Sequence, residues 1–186
     1  MLEASCAEHN CLDREVPAMD TSATPNDAVD PRWLTESQQE AWRALVALVT
    51  RLPAALDAQL QRDSQLTHFD YFVLAVVSEN PQRRIQLRDL AEYANASLSR
   101  LSHVVTKLEK AGWVRRESIP GSRGSYAVLT DAGMEKVVAS APGHVETVQA
   151  LIFDGLSDAE VGRLSTLSTT LLTQLDKGIA AGTGHA

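Results

Sequence analysis

The stretch from Ser97 to Leu129 narrows the choice of fold more than any other part of the chain. Leu101, Val104, Val105 and Leu108 recur at spacings of three and four, the face of one helix from Ser97 to Ala111. Gly112 follows at once, where a helix end calls for a left-handed residue. Trp113 to Ile119 then reads as a strand and Ser125 to Leu129 as its return. Pro120-Gly121-Ser122-Arg123-Gly124 between them is a turn by composition. Just upstream, Ile85 and Leu87 alternate with polar residues, so Arg83–Leu87 reads as a short strand. Arg88–Asn95 reads as a short helix burying Leu90, Ala91 and Ala94. Two helices joined by a brief turn and followed by a hairpin make a winged helix-turn-helix.

The flanks are helical. Thr35 to about Gln61 places Trp42, Leu45, Val49, Leu52, Leu56 and Leu60 on one face, with Pro53 inside it as an expected kink. Thr67 to Glu79 turns Phe69, Phe72, Val73, Val76 and Val77 inward, and Asn80-Pro81 ends it. Thr130-Asp131-Ala132-Gly133 opens a helix to about Phe153, expected to be interrupted near Pro142-Gly143. Ser157 and Glu160 form a capping box before a last helix carrying Leu164, Leu167, Leu171 and Leu175 to about Lys177. The fold class is therefore mainly α, with a small β-wing. A small winged domain alone offers no cover for the leucines of the last helix. An isologous dimer would bury them, so the helices at about 35–61 and 131–177 are assigned to a dimerisation region and about 66–130 to the winged core. An intramolecular helical bundle is the alternative.

Charge points to a partner. The chain of 186 residues carries a formal −7, yet between Arg83 and Tyr126 nine basic residues face four acidic ones. A basic middle in an acidic chain is a stronger hint of nucleic acid than the total is against it. The exposed face of the helix from Ser97 holds Ser97, Ser99, Arg100, Ser102, His103, Thr106, Lys107 and Lys110. Small hydroxyls close to base edges, an arginine able to grip guanine and lysines for phosphates suit a major groove. The hairpin adds Arg115 and Arg116, and Arg123 at its glycine-flanked tip, placed for a narrow minor groove. The same basic stripe could instead dock an acidic protein, which makes an interaction module the rival reading.

Together these stretches resemble the MarR family of transcriptional regulators. The resemblance rests on Leu66-Thr67-His68-Phe69-Asp70-Tyr71, Leu90-Ala91, Ser97-Leu98-Ser99-Arg100-Leu101-Ser102, Leu108 through Arg116, and Leu129-Thr130-Asp131-Ala132-Gly133. It spans about residues 33–177 and implies a homodimeric regulator, more often a repressor than an activator, on a palindromic operator. It also implies a small aromatic or phenolic ligand that relieves binding. Trp33, Trp42, His68, Tyr71 and Phe72 are the candidates to line its pocket, with plain core packing as the alternative. One departure stands out. Where the family's wing has an aspartate two residues before the tip arginine, this chain has Gly121, which implies a looser wing.

Other readings are mostly exclusions. There is no Gly-rich phosphate loop, no nucleophile–base order and no metal motif, so neither an enzyme nor a cofactor is expected. Cys6, His9 and Cys11 are too few ligands for a metal, and tail thiols lack a reason for a lowered pKa. Residues 1–31 read as a disordered acidic tail, with Met19 as an alternative start, and 178–186 as a flexible end. With no apolar leader and no membrane span, a cytoplasmic protein is expected.

Overall fold

The computed structural model describes residues 31–182; the acidic tail, Met19, Cys6, His9 and Cys11 lie outside them. Residues 31–40 open the first helix. Thr35 and Gln38 cap it reciprocally: Thr35 Oγ1 accepts from the Gln38 N–H at 3.3 Å, and Gln38 Oε1 accepts from the Thr35 N–H at 2.9 Å. The helix, α1, runs Glu36–Ser64 and is unbroken at Pro53.

Helix α2 is His68–Glu79, and a capping box starts it. Thr67 Oγ1 accepts from the Asp70 N–H, and the Asp70 carboxylate accepts from the Thr67 N–H. Strand β1 (Arg84–Gln86) leads into α3 (Leu87–Tyr93) and then α4 (Leu98–Lys110). The turn between them puts Asn95 at φ 44°. Ser97 caps α4 by accepting from the Arg100 N–H at 3.2 Å. Gly112 takes φ 77°, the left-handed conformation expected after the helix end.

Strands β2 (Val114–Ser118) and β3 (Ser125–Leu129) form the hairpin, and β1 joins on the far side of β3. The sheet is antiparallel with order β1-β3-β2, and β1 registers Ile85 opposite Ala127. Under it lies the core. Leu66, Val73, Leu74, Val77, Leu90, Leu101, Val105, Leu108, Val114 and Ala127 are enclosed almost completely. Each such leucine or valine removed from water is worth about 1.5–3 kcal/mol before entropy is counted.

Helix α5 is Asp131–Val148, continued by a π-helical turn at Gln149–Phe153, and α6 is Asp158–Ala180. The Ser157–Glu160 box opens α6 as expected.

Several expectations are corrected. Helix α5 is not interrupted at Pro142-Gly143. An internal proline costs about 3 kcal/mol, but Val137 and Ser140 are buried just before it and His144 is half-buried just after, so packing on both sides holds the helix. The irregularity comes later, in the π turn. Ala94 is half-exposed rather than buried, because α3 stops at Tyr93 and Ala94 is its C-cap. Phe72 is only half-buried; Leu74, two residues on, takes the core position. Helix α6 continues beyond Lys177 to Ala180, into the first residues of the segment read as a flexible end, of which 183–186 lie outside the described residues.

Candidate nucleic-acid interface

The surface of α4 opposite the core presents Ser99, His103, Lys107 and Lys110, all exposed, flanked by half-buried Ser102 and Thr106. Its first turn contains no acid, and Ser97 completes its N-cap. The one acid of the helix, Glu109, is turned away into a network with the wing. The Arg116 N–H donates to Glu109 Oε1 at 3.1 Å, and Arg116 Nη1 donates to Oε2 at 3.2 Å.

Arg116 Nη2 donates further to the Ser102 carbonyl at 2.8 Å, to Thr106 Oγ1 at 3.0 Å and to Ser102 Oγ at 3.1 Å. A guanidinium with one face of α4 and a carboxylate in its grip is a brace between helix and hairpin. It fixes how far the wing stands from α4.

Lys107 has a similar internal partner. Its Nζ lies 2.5 Å from Asp70 Oδ2, and Asp70 is buried while the lysine stays half-exposed. The same carboxylate caps α2, so one buried anion ties the start of α2 to the last turns of α4. A buried carboxylate that loses its cation or its N–H donor is costly, which explains why both are present. Arg115 pairs with Glu117, which also reaches Arg84 at 3.9 Å; Arg84 in turn lies 4.1 Å over the Tyr126 ring.

The remaining cations differ. Among the described residues Lys110 and Arg123 have no ion-pair partner, and Arg100 rests over the Phe69 ring with its guanidinium carbon 4.5 Å from the ring centre. Arg123 sits on an exposed tip shaped by Gly121 at φ 74° and by Ser122, whose Oγ accepts from the Gly124 N–H. The glycine at the departure from the family's wing is thus a turn residue that a β-carbon would strain.

The motif closing the wing has a steric cause. Thr130 Oγ1 donates to the carbonyls of Gly112 (2.7 Å) and Trp113 (3.1 Å) and accepts from the Gly133 N–H. A β-carbon on Gly133 would stand 2.1 Å from the Trp113 carbonyl oxygen, so only glycine fits where α5 crosses the base of the hairpin.

The candidate pocket residues differ in their surroundings. Trp33 and Trp42 are exposed, at 79% and 58%. Phe72 stacks between Phe69 and Tyr93. His68 and Tyr71 instead meet His144 of α5, which the sequence reading missed: the Tyr71 and His144 ring centres are 4.6 Å apart and the two imidazoles 6.1 Å. His144 Nδ1 is buried without a hydrogen-bond partner among the described residues. Burial pushes both imidazoles below the usual histidine value, opposed at His68 by Asp57 and reinforced at His144 by His68. Burial likewise raises the Tyr71 hydroxyl, with Glu79 adding to it. Only tertiary structure brings His144 to α2, so no local signal could have found it. Asp70 did have a signal, a carboxylate three residues after Thr67.

Comparison with known proteins places this geometry. The MarR family model matches residues 66–124. Sco3205, a MarR family transcriptional regulator from Streptomyces coelicolor crystallised in complex with DNA, is 43% identical over 78% of this chain and 92% of its own, with a TM-score of 0.74. The chain belongs to the MarR family. AbsC, a MarR family transcriptional regulator from the same organism, is 36% identical over 79% of this chain and 99% of its own, with a TM-score of 0.73. No curated protein matches. The residues that carried the resemblance thus mark a MarR transcriptional regulator with a DNA-binding winged helix, whose head is formed by α2, α3, α4 and the three-stranded sheet.

Proposed function

We propose that this MarR regulator is a homodimeric repressor of a palindromic operator. In this reading α4 lies in the major groove and Arg123 of each wing enters the flanking minor groove. The observation that carries it is the solvent face of α4: open, rich in hydroxyls and cations, and cleared of negative charge because Glu109 is committed to Arg116. Ser99, Arg100 and His103, with Ser102 beside them, face the base edges, and Lys110 and Arg123 the backbone and minor groove. Ser97 and the first N–H groups of α4 are placed for a phosphate. Lys107, Arg115 and Arg116 contribute charge near the backbone, while their internal partners give them the further duty of fixing the frame. A 43% identical relative crystallised on DNA supports this assignment.

The apolar surface left uncovered among the described residues supports the dimer. Helix α6 has no buried residue, and Trp42, Val49, Leu167 and Leu175 are each more than half exposed. A second copy covering them sets two heads about 34 Å apart, one turn of duplex. Such a protein acts where the chromosome is, in the cytoplasm. Relief by a small aromatic or phenolic ligand is the second part of the reading. The ring cluster of His68, Tyr71 and His144 gives it apolar faces and one buried nitrogen without a partner. The ligand must bind the DNA-free conformation more tightly than the bound one.

The test is selection of duplexes from a randomised pool, followed by footprinting. A two-fold symmetric footprint with salt-sensitive affinity is expected; retention of an acidic protein without any preferred duplex would favour the interaction module. Arg100→Ala should cost about 1–3 kcal/mol on the selected duplex and relax one base pair per half-site. Equal losses on selected and scrambled duplex would remove Arg100 from the base readers. If no phenolic or aromatic acid shifts operator affinity, relief by a ligand fails and repression stands.

A further inference from the structure

Among the partnered cations of the head, Arg100 alone is met by a ring without a carboxylate. Arg83, Arg84, Lys107, Arg115 and Arg116 are each met by a carboxylate, which occupies N–H donors. Arg100 is met by a ring. The Phe69 face covers the flat of its guanidinium at 4.5 Å, and no carboxylate among the described residues pairs with it. A guanidinium has five N–H donors at its edge and none on its face. Stacking therefore fixes its plane and leaves the whole edge free, and the edge is what grips the O6 and N7 of guanine.

The ring is itself held. Phe69 is in the first turn of α2 and packs against the core. Phe72, one turn on, stacks against it at 6.4 Å and 17°, and Tyr93 at the end of α3 stacks on Phe72 at 6.2 Å and 24°. Three rings from two helices thus back one guanidinium in the first turn of α4.

We propose that Phe69 is the positioning residue for base readout: it presents Arg100, pre-oriented and with all its donors free, to a guanine in each half-site. This rests on the reading of α4 as the groove helix. An arginine loses substantial rotamer freedom when it binds. Ordering it beforehand lowers that cost for specific binding alone. Non-specific binding depends on charge, which Phe69 does not alter.

The experiment compares wild type, Phe69→Leu, Arg100→Ala and the double variant. The two probes are the duplex that wild type selects from a randomised pool and a scrambled duplex of the same composition, both at one salt concentration. Phe69→Leu should weaken the selected duplex about threefold to fivefold, the scale of an exposed cation–π contact, and leave the scrambled one unchanged. On the Arg100→Ala background the same change should have no further effect. Phe69→Tyr, which keeps the ring face, should retain the wild-type ratio. In DNA-free wild type the Arg100 Nε–H proton should show an upfield ring-current shift, a readout that does not depend on Phe69→Leu folding. Equal losses on both duplexes, a loss that persists without Arg100, or no ring-current shift would overturn the proposal. If wild type selects no duplex at all, the groove assignment of α4 fails instead.

Discussion

Apolar side chains meet opposite fates in the winged head and in the terminal helices. In the head, Leu66, Leu74, Leu90, Leu101 and Leu108 are wholly enclosed. In α6, Leu167, Leu171, Leu172 and Leu175 all stand more than half in solvent, as do Trp42 and Val49 in the first half of α1. The leucines are chemically identical, so the difference lies in what is packed over them. The head closes its core with a three-stranded sheet and four helices of its own chain. Helix α6 and the first half of α1 present apolar faces with no cover among the described residues, and monomers rarely expose a large continuous apolar surface. Stability of the head is thus a property of one chain, whereas operator affinity, on the proposed reading, is a property of two.

The sharpest break in that comparison is Leu171→Asp. A charge on the uncovered face should leave the head folded, give a monomer by light scattering, and weaken operator binding about a hundredfold or more, because the second half-site no longer binds as part of the same molecule. An unchanged oligomeric state would show that α6 is not the contact. Gly133→Ala should do the reverse. Its methyl group meets the Trp113 carbonyl, and overpacking of this kind costs about 3 kcal/mol, read as a lower urea midpoint of the head. A midpoint within error of wild type would mean that α5 moves aside freely.

The smallest expected effect concerns pH. His68 and His144 are both pushed below the ordinary imidazole value of 6.5 by burial. The unfolded chain therefore takes up protons first as pH falls, so the neutral pair stabilises the fold above about 6.5, and that contribution is lost as pH drops through the lowered values. Thermal unfolding should shift down between pH 7.5 and 5.5, and less so in His144→Phe. An identical pH slope in that variant would show that other groups set it.

How much of this could be read from the chain depends on how local the cause is. The α4 face, the Ser97 cap, Gly112 and the hairpin were legible, because each rests on contacts within a few residues. The Pro142 break was expected from a local rule and overridden by packing of α5 on either side of it. The partners of Lys107 and Arg116 were not legible. Asp70 lies 37 positions from Lys107, and Arg116 reaches back 14 positions to Ser102. A basic residue on an exposed face looks like a ligand contact until its acid is found. The opposite error hid His144, which sits in an unremarkable stretch of α5 and gains meaning only beside Tyr71.

The corner at Gly133 has a mechanical consequence. There α5 crosses the hairpin base with no room for a methyl group, and the Thr130 hydroxyl is fastened to two carbonyls of the turn between α4 and β2. A joint this tight should pass a twist applied far along α5 to the hairpin instead of dissipating it in a slack corner.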